Sequence, residues 1–244
     1  MFALCYVLLG GNNYVIPGFL QRGLGFSWET TGMLESMGLA ACLVTWLVMS
    51  WLVPRSPSLG KYLATGLACL LAFGWFMSRL APDADPYTHV LPLLVLNGCF
   101  IMLGLATAAI HTFKGLAGED RLFAHGYQLK VIVAQLAMAL GTSLATLVTQ
   151  WRNTVQYERV GTFVDPGTGS YVAASARILS VMATRGGVQH GPALTISTIA
   201  QDLARQATMV GDSEYFFGIC LLGILALFAM VAWRVIDHVR PVRA

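Results

Sequence analysis

Six runs of roughly 20 mostly apolar residues constrain this chain more than any other feature; they lie at about 2–20, 32–53, 62–80, 90–110, 127–149 and 214–236. A helix of about 20 residues is what crosses a hydrocarbon slab of roughly 30 Å. Inside such a slab a helix satisfies all of its own backbone hydrogen bonds, which an open strand does not. Composition points the same way: of 244 residues, 56% are hydrophobic and only 11% charged, against about 25% charged in a soluble domain. The expectation is an all-α membrane protein of six transmembrane helices. The formal charge of +3 is small and its basic residues are dispersed, so no nucleic-acid surface is expected.

The runs divide the chain into five helices with short loops (1–149), a long outer, periplasmic connection (150–213) and a last helix with a basic tail (214–244). Arg55, Lys61, Lys114, Arg121, Lys130, Arg234, Arg240 and Arg243 fall on one side, whereas the short loops of the other side carry only Arg22 and Arg79. The excess of Lys and Arg in short loops marks the cytoplasmic face. Both termini are therefore expected in the cytoplasm, with the chain in the inner (plasma) membrane. Within the long connection, "TISTIAQDLARQATMV" sets Ile196, Ile199, Leu203 and Ala207 near helical spacing. It reads as a short amphipathic helix on the outer surface, preceded by the turn-rich "VDPGTGS".

Polar groups inside apolar runs are costly and usually face the bundle interior or a wet cavity. In the first run Gly10 and Gly11 precede Asn12 and Asn13, and Pro17 and Gly18 follow; this reads as loosened backbone with amides that line a cavity or bond between helices. In the fourth run Asn97, Gly104 and His111 share a face, with Asn97 and His111 about 21 Å apart along the axis. In the fifth, Gln128, Gln135, Thr142 and Thr149 recur every seven residues. Beside them Ala137, Gly141 and Ala145 form a small-residue stripe of the kind that lets helices approach closely. Glu35 is read as the only acidic residue inside a run and as a proton-carrier candidate, the alternative being a hydrated headgroup position. The substrate-cavity candidates are thus Asn12, Asn13, Asn97, Gln128, Gln135 and Thr142.

All five cysteines (Cys5, Cys42, Cys69, Cys99 and Cys220) lie within apolar runs, which suits packing rather than disulfides or zinc. There is no H-E-x-x-H, no G-x-S-x-G and no phosphate-binding glycine loop with its lysine. No catalytic residue, cofactor or metal is expected, and an enzyme is not.

Four stretches carry a resemblance. "YVIPGFLQRGLGFSWETTGML" resembles the "LPxxLQxxxGxSxxxxG" sequence that opens the C-terminal half of the fourteen-span drug:proton antiporters (EmrB/QacA type) of the major facilitator superfamily, through Pro17, Leu20, Gln21, Gly25, Ser27 and Gly32. "PRSPSLGKYLATGL" is similar to that family's "DRxGxRxxLxxGL" loop, with Arg55, Lys61 and Gly66 in register and Pro54 where the family has Asp. "YQLKVIVAQLAMALGTSLAT" resembles its penultimate span, and "LARQATMVGDSEYFF" its "RQAxxxAxxDxF" sequence through Arg205, Gln206, Ala207, Asp212 and Tyr215 or Phe216. The resemblance implies the C-terminal six-helix half of a proton-coupled efflux carrier for amphipathic organic solutes. It also implies a missing N-terminal half of six or eight spans that holds the coupling residues, a reading the apolar start at Met1 fits. The alternative is a non-transporting six-span membrane protein or an inactive truncated remnant.

Overall fold

The computed structural model describes the backbone of residues 2–113, 120–161 and 191–239, and the side chains of 2–110, 123–159 and 201–232. Six helices account for it: α1 (Phe2–Gly18), α2 (Trp28–Leu52), α3 (Leu59–Met77), α4 (Leu91–Phe113), α5 (Asp120–Gly161) and α6 (Gly191–Val239). A turn of π-helix, Phe19–Gly23, extends α1, and another, Pro86–Val90, leads into α4. Among the described residues there is no strand. Each helix contains a segment long and apolar enough to cross a membrane, as the sequence predicts.

Local chemistry sets the helix ends. Ser27 caps α2, its hydroxyl oxygen accepting from the Thr30 amide at 3.1 Å. Asp85 caps the turn into α4, its Oδ2 accepting from the amides of Tyr87 (3.1 Å) and Thr88 (2.8 Å) and from the Thr88 hydroxyl (2.9 Å). These hydrogen bonds, led by that from the Thr88 amide, hold the Asp85 carboxyl below its ordinary value of 3.8. Pro17 has no N–H to give the helix, and the wider π turn begins two residues later.

The helices are arranged in the order α2, α4, α3, α6, α5, α1, and α1 closes the bundle against α4. Glycine marks most of the crossings. A Cβ on Gly10 would lie 2.2 Å from the Met138 carbonyl oxygen, and one on Gly141 2.0 Å from that of Val7, so α1 and α5 meet backbone to backbone. Gly98 stands in the same relation to Gly38 across α2 and α4 (2.4 Å), and Gly74 to Phe216 across α3 and α6 (2.8 Å). Such closeness gives dispersion contacts that lipid tails cannot match. At the centre Phe216 makes edge-on contacts with Phe19 and Phe73, centroids 5.2 and 5.7 Å apart.

Two expectations change. Gly10 and Gly11 do not loosen α1, which is helical throughout; they are flat places for α5 and for the Tyr215 hydroxyl. The last two helices are also longer than their apolar runs, at 42 and 49 residues, or about 63 and 74 Å, twice a hydrocarbon slab. The segment with Leu203 and Ala207 is therefore the first part of α6, continuous with the last apolar run. The side chains of Ile196 and Ile199, and the "VDPGTGS" stretch, lie outside the described residues.

Candidate functional site

The gap between α1 and α2, floored by α4, holds a cleft of about 280 Å³. Three of the residues singled out from sequence meet there: Asn13, Glu35 and Asn97, with Gly38, Leu94 and Ile101 among the apolar lining. The meeting follows from packing. Gly38 and Gly98 let α2 and α4 touch, which leaves the adjoining faces of α1 and α2 apart and the polar positions turned into the space between them. Glu35 Oε1 is buried and has no hydrogen-bond partner.

Behind the cleft runs a chain of three side chains. Asn12 is fully buried; its Nδ2 donates to Asn97 Oδ1 at 3.0 Å, and its Oδ1 accepts from the Tyr215 hydroxyl at 3.2 Å. Gly11 makes room for that hydroxyl, since a Cβ there would lie 2.5 Å from it. The chain ties α6 to α1 and α1 to α4. It occupies the carbonyl of the Asn97 amide. Of the two readings of the paired asparagines, Asn12 takes interhelix bonding and Asn13 takes cleft lining.

The α5 residues lie elsewhere. Gln128 and Gln135 are exposed on the helix surface. Thr142 is half-buried with its hydroxyl 3.2 Å from the Gly10 carbonyl and 3.1 Å from that of Met138, and Thr149 is buried with its hydroxyl on Ala145 O at 2.8 Å. A seven-residue repeat drifts by about 20° per heptad on a straight helix, so the stripe turns from the surface into the α1–α5 contact along its length. The helix that carries His111 is described, but its side chain is not. Lys130 sits over the Tyr127 ring, 5.4 Å from its centroid.

Sequence reasoning missed two groups. Tyr215 was matched only as a family position, since nothing in local spacing announces a partner 203 residues away. Asp212, on α6 two residues before the last apolar run, is 1% exposed with Oδ2 unpartnered; hydropathy gives no signal there, because its neighbours are polar.

At the far end of α6 from its C-terminus, two of the quoted motifs touch. Arg205 donates from Nε to the Gly23 carbonyl (2.9 Å) and from Nη2 to that of Leu24 (2.6 Å), clasping the α1–α2 turn. Gly25 occupies a left-handed conformation there (φ +77°), and a Cβ on it would come 2.8 Å from the guanidinium. Nearby, Arg152 pairs with Glu214, which also accepts from Gln156 Nε2 at 3.0 Å, joining α5 to α6.

Among the described residues no group of three or more His, Cys, Asp or Glu is placed to hold a metal ion. No protein-family model and no solved structure matches the chain. One curated protein does: the chain is 20% identical over 230 residues to YhcA of Bacillus subtilis (strain 168), described as an uncharacterized MFS-type transporter. The match takes in 91% of this chain and 41% of that protein, so the chain spans about two fifths of its relative's length. Six helices long and apolar enough to cross a membrane support a multi-pass membrane protein, and the protein it resembles is described as an MFS-type transporter.

Proposed function

We propose that the chain forms one wall of the solute path of a proton-coupled efflux carrier for amphipathic organic solutes. The observation that carries this is the cleft itself, in which Asn13, Glu35 and Asn97, distant in sequence, converge against an apolar lining. The amides of Asn13 and Asn97 orient the solute by hydrogen bonds, and the apolar lining takes its hydrocarbon part. Such a few-polar, mostly apolar concavity is the usual make-up of a small-molecule site. Glu35, with a buried and unpartnered carboxyl oxygen, takes the coupling proton.

Transporters of this kind hold solute between two helical units that rock against each other. A second unit of six or eight spans faces the cleft and completes the path. The exposed amides of Gln128 and Gln135, set among the exposed apolar side chains of Leu129, Ile132 and Leu136, support such a cover, because lipid leaves an amide unsatisfied.

The test uses everted membrane vesicles from cells that make the protein natively, with ethidium as the probe solute and an imposed proton gradient. The reading expects gradient-driven uptake that is lost on deletion of the gene, reduced at least tenfold by Asn13→Leu, and made insensitive to the gradient by Glu35→Gln. Equal uptake with and without the gene, across a panel of amphipathic dyes, would sink it and favour a non-transporting membrane protein.

A further inference from the structure

A second concavity, lined by other residues of α2 and α4 than the cleft is, has a chemistry of its own. Helices α2 and α3 straddle α4 and leave a trough of about 500 Å³ between them. Val44, Val48 and Leu52 form its α2 wall, and all three are exposed. Met49, Tyr62 and Leu103 form its floor, a small buried cluster separate from the main core. From Val44 to Leu52 the wall runs about 12 Å along the helix, within the apolar part of α2.

The trough does not end in apolar residues. Ser56, Lys61 and Thr65 lie at its other end. The Tyr62 hydroxyl donates to the Ser56 carbonyl at 3.0 Å and fixes the loop there. Lys61 is exposed and makes no ion pair among the described residues. The neighbouring Arg55 is already engaged, stacked on Trp51 at 3.9 Å and bonded to the Trp51 carbonyl at 3.0 Å. No Asp or Glu occurs between Ser36 and Pro82, nor anywhere in α4. The acids nearest in sequence on the lining helices are Glu29 and Glu35 at the opposite end of α2, about 25 Å or more from Leu52.

We propose that this trough is a binding site for one anionic phospholipid. An acyl chain lies along Val44, Val48 and Leu52, and the phosphodiester rests on the Lys61 ammonium with the Ser56 hydroxyl beside it. The argument is charge complementarity joined to shape. A cation that makes no ion pair among the described residues, with the carboxylates of α2 confined to that helix's opposite end, stands where an apolar groove leaves the hydrocarbon, and basic recesses between membrane helices take anionic headgroups in this way. The volume lies within the range of small-ligand sites. The inference does not depend on whether the chain transports anything.

The experiment is native mass spectrometry of the purified chain in detergent, titrated with phosphatidylglycerol and, separately, with phosphatidylcholine of the same acyl chains. Phosphatidylglycerol should bind about fivefold more tightly, which is the worth of one lysine against an anionic headgroup. Lys61→Ala should equalise the two lipids, Lys61→Arg should keep the preference, and Val48→Trp should weaken both by filling the groove. Inorganic phosphate at millimolar concentration should neither bind nor displace lipid, because the acyl groove supplies most of the affinity. Equal binding of the two lipids by the unaltered chain would overturn the proposal. So would a preference that survives Lys61→Ala, or displacement by free phosphate alone.

Discussion

The Tyr215–Asn12–Asn97 chain gives the sharpest energetic prediction. Asn12→Ala removes two hydrogen bonds at a fully buried position and leaves the Tyr215 hydroxyl and the Asn97 carbonyl without their partner. A buried polar group left unmet costs about 1–3 kcal/mol. Asn97 borders the cleft and can recover part of its share from water, so the total should be about 2–4 kcal/mol rather than the sum of two full penalties. The pairwise term is separable by a double-mutant cycle with Asn97→Ala. Hydrogen bonds between membrane helices average about 0.6 kcal/mol and reach about 1.7 in such cycles, and the Asn12–Asn97 coupling should fall in that interval. The assay is reversible unfolding of the purified chain in mixed micelles by increasing detergent denaturant, followed by tryptophan fluorescence. Tyr215→Phe should couple to Asn12→Ala but only weakly to Asn97→Ala, since it acts through Asn12. If the Asn12 and Asn97 substitutions add to within about 0.3 kcal/mol, the two amides are not bonded and the reasoning fails.

Other consequences are open to the same unfolding assay. Gly141→Ala should cost about 1–3 kcal/mol, because its Cβ would meet the Val7 backbone, whereas Gly218→Ala, with open space around it, should be neutral or stabilising by up to about 1 kcal/mol; equal effects would mean that α1 and α5 do not cross there. Gly25→Ala should destabilise by about 1 kcal/mol or more through its left-handed backbone, and replacing Arg205 with Ala as well should recover only the part due to the guanidinium contact. For Asp85 the folded carboxyl titrates below the unfolded value near 3.8, so its cap contributes fully above that pH and is lost as pH falls through the lower folded value. The stability difference between the unaltered chain and Asp85→Asn should therefore shrink on acidification below 3.8, and parallel pH curves would show that the cap is not formed.

Element existence was legible because a 20-residue apolar run has few alternatives in a bilayer, and the six runs became six helices. Helix ends in the second half were not. Hydropathy reports where lipid is, and α5 and α6 continue past it as helix, with Asp212 buried in that continuation. Asn13, Glu35 and Asn97 could be nominated because polar groups at membrane depth are conspicuous against their neighbours. Their convergence could not be read, because it depends on the crossings of α1 and α2 with α4. Gln128 and Gln135 show the limit of periodicity: a common face on one helix does not say which neighbour that face meets. The glycines were half-read. The four-residue spacing of Gly141 with Ala137 and Ala145 marks it as a packing residue, whereas Gly10 and Gly11 read as loosened backbone, since only the facing α5 backbone reveals why they are small.

The central claim is that the α1–α2–α4 cleft is a wetted solute path and not a lipid-filled gap. The most direct measurement is alkylation of single cysteines by a membrane-impermeant maleimide, in native membranes and with the five natural cysteines replaced by alanine. Asn13→Cys should react at a rate within tenfold of an exposed loop position such as Pro82→Cys, and an amphipathic solute should slow it. Leu140→Cys, on the exposed apolar face of α5, should not react. Asn13→Cys as inert as Leu140→Cys would contradict the account.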